Sequence, residues 1–165
     1  MTKNRLFKVI PMLVILSLSI VLVACGKKEE VASNNPMEYV SIEQLKKSID
    51  ETKEYVILDV RKIEDYKKSH IKGAFEADVD AANKGGDDKA GIASLEDGLL
   101  EATGSKTGKA DAKYALICYS GKTYAQKATD LLIGMGVSKD KIFTLKGGMK
   151  AWEAGGSEYT DLLEK

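Results

Sequence analysis

Two short runs, Tyr55-Val56-Ile57-Leu58 and Tyr114-Ala115-Leu116-Ile117, are apolar throughout and show no alternation of apolar with polar residues. Such runs suit strands buried on both faces, the kind found in parallel sheets. Each is followed by helical spacing. Lys62–Ser69 suits a short helix with Ile63 and Tyr66 facing inward, and Ala125, Ala128, Leu131, Leu132 and Met135 mark the apolar face of a longer one. Strands alternating with helices imply a parallel sheet covered on both faces, joined by right-handed crossovers. In such sheets a site lies beyond the carboxyl ends of the strands. Asp59 and Cys118 each end one of the two runs, so both can border one pocket.

Other elements fill in around these two. Glu38-Tyr39-Val40 is a short strand, and Ser41 with Gln44 three residues on forms a capping box for a helix over Ile42–Ile49. Ile71-Lys72-Gly73-Ala74-Phe75 turns into another short strand. Gly85-Gly86-Asp87-Asp88 and Gly104-Ser105-Lys106-Thr107-Gly108 read as loops, with Ile92, Leu95, Leu99 and Leu100 suggesting a helix between them. Gly134 and Gly136 end the helix after Cys118. Lys141–Leu145 is a further strand, and Gly147-Gly148-Met149-Lys150-Ala151-Trp152 opens a last helix.

The N-terminus reads as a targeting segment. Lys3, Arg5 and Lys8 precede a mostly apolar stretch from Val9 to Ala24, which ends Leu22-Val23-Ala24-Cys25-Gly26. That ending resembles a bacterial lipobox, in which cleavage before the cysteine leaves Cys25 as a lipid-modified N-terminus. The rival is a retained transmembrane helix, for which the stretch is short against the roughly 20 apolar residues a span needs. A multiply acylated cysteine holds durably to a bilayer where one chain would be marginal. The division expected is a lipoprotein signal peptide over 1–24, a lipid-anchored polar tether over 25–36, and one folded domain over 37–165. The protein would then sit outside the cytoplasm, on the bacterial cell membrane.

Charge excludes one class of partner. The chain has 25 basic and 25 acidic residues; without the three basic residues of the leader, 22 face 25, a net charge of about −3. A nucleic-acid partner is not indicated.

With Cys25 carrying lipid, Cys118 is the only free thiol. No intramolecular disulfide can form, and a dithiol oxidoreductase is excluded because no resolving cysteine exists. Cys118 follows an apolar run and opens the loop Tyr119-Ser120-Gly121-Lys122-Thr123, after which the amphipathic helix begins. Strand, loop and helix in this order let loop amides and a helix N-terminus converge on the sulfur, an arrangement that favours a thiolate and holds an anion beside it. The other reading is a buried core cysteine; layout alone leaves both open.

Four segments then match a known pattern. Asp59-Val60-Arg61 looks like the Asp-Val-Arg signature of rhodanese domains. Glu64-Asp65-Tyr66 followed by His70-Ile71-Lys72-Gly73-Ala74 resembles their Glu-x-Tyr and His-Ile-x-Gly-Ala segment. Cys118–Thr123 resembles the six-residue active loop, and Gly147–Trp152 the closing Gly-Gly-x-x-x-Trp motif. The resemblance covers roughly Met37 to Gly156. It implies an α/β, rhodanese-like fold with a central five-stranded parallel sheet and helices on both faces. It also implies sulfane-sulfur transfer: Cys118 takes sulfur from a thiosulfate-type donor as a persulfide and passes it to cyanide or a thiol, with no cofactor. The partners implied are a small-molecule donor, a thiol or cyanide acceptor, and a protein sulfur acceptor as a further option.

Some positions depart from the family. Many members carry arginine at the second or sixth position of the loop, where this chain has Tyr119 and Thr123. Thr123 could donate a hydrogen bond to the persulfide, and Lys122, the loop's only charge, could attract thiosulfate or be a solvated side chain. The stretch between Gly73 and Cys118 is longer than usual, which could shape the pocket rim or be surface. Asp59 and Arg61 are read as a structural ion pair in preference to substrate ligands. His70, the only histidine, is read as structural, and one histidine with one free cysteine argues against a protein zinc site. Trp152 is read as a core anchor. A phosphatase of the same fold needs a loop one residue longer ending in arginine; that position is Tyr124. A non-catalytic binding module, or a thiol that senses oxidants or sulfur at the membrane, remains as the alternative to an enzyme.

Overall fold

The computed structural model describes residues 35–165; the expected signal peptide over 1–24, Cys25 and the expected tether up to residue 34 lie outside the described residues. Strand β1 (Glu38–Val40) leads into helix α1 (Ile42–Lys47). The Ser41 hydroxyl accepts from the Gln44 N–H, and the Gln44 side chain accepts from the Ser41 N–H, completing the expected capping box. The helix stops short of Ile49 as an α-helix and widens into a π-type turn over Ser48–Thr52.

The chain continues through β2 (Tyr55–Asp59), α2 (Ile63–Lys68), β3 (His70–Ile71), β4 (Ala74–Glu76), α3 (Asp80–Gly85) and α4 (Asp88–Thr103). It then passes through β5 (Lys113–Ile117), α5 (Thr123–Gly134), β6 (Ile142–Leu145), α6 (Gly148–Ala154), α7 (Ser157–Thr160) and β7 (Leu163–Glu164). Five strands form one sheet in the order β1-β6-β5-β2-β4, every pairing parallel. The two apolar runs lie side by side at its centre, with Tyr55 opposite Lys113 and Asp59 opposite Ile117. This is the expected five-stranded α/β architecture. Strand β3 stands outside it, paired antiparallel with β7. α6 is therefore not the last element, because α7 and β7 follow and close the chain onto β3.

Period-two alternation sorts the central strands between two cores. Leu58, Val60, Tyr114, Leu116, Cys118 and Ile142 pack with Ala82, Leu95, Leu99, Ala125, Ala128 and Leu132, from α3, α4 and α5. Ile57, Ala115, Ile117 and Leu145 pack on the other face with Leu45, Met149, Trp152 and Tyr159, from α1, α6 and α7. Both faces are buried, so unbroken apolar runs were required.

The stretch between Gly73 and Cys118 holds two helices, α3 and α4, where the sequence suggested one. Asp87 caps α4 by accepting the Ala90 N–H. Gly98 on α4 lies so close to β4 that a Cβ there would stand 2.5 Å from the Glu76 carbonyl oxygen. The helix packs against the sheet only because that side chain is missing.

Candidate functional site: the Cys118 loop

β5 delivers Cys118 to the carboxyl edge of the sheet, 2 % exposed. Its sulfur accepts a hydrogen bond from the Gly121 N–H at 3.1 Å. Gly121 has φ +69°, a left-handed conformation that bends the loop so that its amide turns back to the thiol. Behind it, α5 begins with no side-chain cap. The N–H groups of Ser120, Lys122, Thr123, Tyr124 and Ala125 have no hydrogen-bond partner among the described residues. A loop and helix start with this many uncommitted donors suit a bound anion. Ser120, Lys122 and Thr123 are exposed.

The Gly147-Gly148 pair holds the loop from beneath. The Met149 N–H donates to the Cys118 carbonyl at 2.7 Å, and the Lys150 N–H donates to the Tyr119 carbonyl at 3.1 Å. Gly148, at φ +61°, lets the two backbones meet: a Cβ there would lie 2.4 Å from the Cys118 carbonyl oxygen and 2.6 Å from the Ser120 nitrogen. A Cβ on Gly121 would in turn lie 2.7 Å from the Leu145 carbonyl oxygen. Trp152, fully buried, anchors the same helix, its Nε1–H donating to the Tyr159 carbonyl at 2.8 Å.

Asp59 and Arg61 are brought near the loop but not into a pocket. Asp59 is fully buried and Arg61 is 5 % exposed. The guanidinium grips the carboxylate with two short contacts, Nε to Oδ1 at 2.9 Å and Nη2 to Oδ2 at 2.6 Å, and Nη2 also donates to the Ser69 carbonyl at 2.7 Å. Through Nε and Nη2, Arg61 ties β2 to the end of α2, and its Cζ lies 5.9 Å from the Tyr119 ring centroid. The ion pair with Arg61 holds Asp59 in the core at the carboxyl end of β2. His70 stacks on Tyr66 at 4.0 Å between ring centroids, and its Nδ1 lies 3.0 Å from the Tyr66 carbonyl, a structural position in β3.

Three further groups shape the site through contacts that sequence reading missed. The Tyr119 hydroxyl donates to Asp65 Oδ2 at 2.7 Å and accepts from the Lys62 N–H at 3.3 Å, fastening the residue after Cys118 to the start of α2. Burial foremost, then the bond to Asp65, pushes the Tyr119 phenol above its ordinary value. Tyr124, where the phosphatase arginine would stand, is buried, and its hydroxyl donates to Asp80. Its ring meets that of Tyr119 edge-on, 5.1 Å between centroids. Partial burial works to raise the Asp80 carboxyl, but Tyr124, Lys84 and Lys62 together hold it below the ordinary range. Asp78 accepts the Ile63 N–H at 3.0 Å and the Asp80 N–H at 2.7 Å, capping α2 and α3 at once. Only the Asx-type spacing of Asp78 and Asp80 was visible in the sequence.

Comparison with known proteins agrees with this architecture. Among solved structures, a human single-domain sulfurtransferase superposes with a TM-score of 0.53 at 22% identity, covering 74% of this chain and 100% of that one. The rhodanese-like domain of an Anabaena protein gives 0.54 at 21% identity, covering 78% and 80%. A Staphylococcus saprophyticus protein gives 0.51 at 23% identity, covering 78% and 100%. At these identities the likeness is one of fold. No curated protein sequence matches. The model of the rhodanese-like domain family matches residues 41–155, a span that runs from the α1 cap through the Cys118 loop to the end of α6. The chain belongs to the rhodanese-like domain family.

Proposed function

We propose that the protein is a sulfurtransferase that works through Cys118. The Cys118 thiolate attacks the outer sulfur of a thiosulfate-type donor. The S–S bond of the donor breaks, sulfite leaves with the electron pair, and Cys118 holds the sulfur as a persulfide. Cyanide or a thiolate then attacks that outer sulfur and releases the Cys118 thiolate. The observation that carries this reading is the Gly121 N–H aimed at the Cys118 sulfur, in a loop whose remaining amides are uncommitted. Donors fixed by backbone geometry need no reorganisation when charge arrives. Lys122, exposed and outside every ion pair among the described residues, adds attraction for a dianionic donor. The similarity in fold to a human sulfurtransferase supports the same reading.

One observation favours a second reading. Cys118 is 2 % exposed and packs within the cluster that holds Leu116 and Tyr124, as an inert core cysteine in a non-catalytic binding module would. Incubation with thiosulfate followed by intact-mass measurement separates the two: a sulfur adduct that maps to Cys118 supports the enzyme, and an unmodified thiol supports the binding module. Tethering outside the cytoplasmic membrane through lipid on Cys25 belongs to the same proposal. It rests on the Leu22–Cys25 pattern alone.

A further inference from the structure

The two segments that meet at the thiol, residues 118–127 and 145–152, contain four lysines and no carboxylate. Lys127 pairs with Asp88 at 3.1 Å. Lys122, Lys146 and Lys150 are exposed, and among the described residues their ammonium groups have no ion-pair or hydrogen-bond partner. Backbone contacts gather all three around one spot. Lys122 follows Gly121, whose N–H donates to the sulfur. The Lys150 N–H donates to the Tyr119 carbonyl. Lys146 precedes Gly147, whose nitrogen would lie 3.0 Å from a Cβ on Gly121.

Charge around the Tyr119 and Tyr124 rings is balanced instead. Lys62 and Lys84 share Asp80 at 3.6 and 3.0 Å, and Asp65 takes the Tyr119 hydroxyl. Uncompensated positive charge is thus concentrated beside the β6–α6 turn. The cavity lined by Lys62, Glu64, Asp78 and Asp80 includes none of the three lysines. Three cations standing on separate elements match an extended surface better than a small anion.

Resting on the sulfurtransferase reading, we propose that Lys122, Lys146 and Lys150 form a docking rim for the sulfur acceptor, a protein that presents a cysteine thiol within an acidic surface. In the transfer the acceptor thiolate attacks the outer sulfur of the Cys118 persulfide. A new S–S bond forms on the acceptor, the Cys118 S–S bond breaks, and the Cys118 thiolate leaves with the electron pair, so no external oxidant or reductant is needed. The step brings an anionic nucleophile to an anionic persulfide. An uncompensated cationic rim offsets that repulsion and raises the encounter rate of a partner with carboxylates flanking its thiol.

The test uses the full chain in detergent, loaded from thiosulfate until intact mass shows the sulfur adduct. Single-cysteine peptides of equal length, flanked by Asp and Glu, by Ser and Gly, or by Lys, then receive the sulfur, with rates expressed per thiolate. The acidic peptide is expected to react about tenfold faster than the neutral one at low salt, with the ratio approaching one at about 0.5 M salt. In Lys146→Gln/Lys150→Gln the ratio should fall severalfold, and in Lys146→Glu/Lys150→Glu the lysine peptide should become the preferred one. Equal wild-type rates, or an acidic preference unchanged in both variants, would overturn the docking rim. Mercaptosuccinate accelerated as much as the acidic peptide would assign the lysines to small anions and overturn it too. A rim that slows transfer only in phosphatidylglycerol vesicles, with no peptide preference, would assign it to lipid and have the same effect. Failure to load wild-type Cys118 at all would instead remove the catalytic reading beneath the proposal.

Discussion

The Met149 N–H donates to the Cys118 carbonyl oxygen at 2.7 Å, so the first turn of α6 holds the backbone of the candidate nucleophile. The contact exists because Gly148 has no side chain. Gly148→Ala would place a methyl 2.4 Å from that carbonyl at a positive φ. Steric displacement and left-handed strain together should cost about 2–4 kcal/mol, read as a lowered urea midpoint. Gly134→Ala is the control: its Cβ meets nothing within 4 Å and its φ is not positive, so it should be neutral or stabilise by up to about 1 kcal/mol.

Tyr119→Phe keeps the ring but loses the bond to Asp65 and the acceptor for the Lys62 N–H. Loss of about 1–2 kcal/mol of stability is expected at neutral pH. The alkaline limb carries the sign. Burial first, then hydrogen bonding to Asp65 and Asp80, raises the Tyr119 and Tyr124 phenols in the folded state. Their contribution is complete below the unfolded value of about 10 and is lost as pH rises through the higher folded values. Urea unfolding measured at several pH values should show wild-type stability falling above about pH 10, with a shallower fall in Tyr119→Phe.

Arg61→Ala strands the Asp59 carboxylate in the core. Removing one partner of a buried pair costs about 3–5 kcal/mol, so the variant should unfold at much lower urea. Because Arg61 commits Nε and Nη2 to Asp59 and the Ser69 carbonyl, the molecules that remain folded should still load sulfur on Cys118 at the wild-type rate. A folded variant that cannot load would give Arg61 a role in donor binding.

Cells fed a labelled fatty acid should incorporate it into the wild-type protein and not into Cys25→Ser. Equal labelling, or none in either, would remove the lipid anchor.

The central strands could be read from sequence because a strand buried on both faces leaves an unbroken apolar run, as at Tyr55–Leu58 and Tyr114–Ile117. The α1 cap was equally local, both of its bonds lying within Ser41–Gln44. α4 was seen only through Ile92, Leu95, Leu99 and Leu100. Gly91 and Gly98 weaken its helical signal, and their reason is tertiary: close approach to Ala82 and Leu131, and to the Glu76 carbonyl. α3 went unnoticed because Asp78, which caps it, looks like a loop residue until its second bond to Ile63 is known. At the site, the Cys118 loop and the double glycine were visible as motifs, but not that one holds the other. Tyr119 looked like a mere departure from the family, since Asp65 lies 54 residues away.

The most direct test of the account is thiocyanate formation from thiosulfate and cyanide by the full chain, wild type against Cys118→Ser, with intact mass recorded alongside. Turnover is expected in the wild type, none above background in Cys118→Ser, and a sulfur adduct on Cys118 when cyanide is omitted. Equal rates for the two proteins, together with an unmodified Cys118, would contradict it.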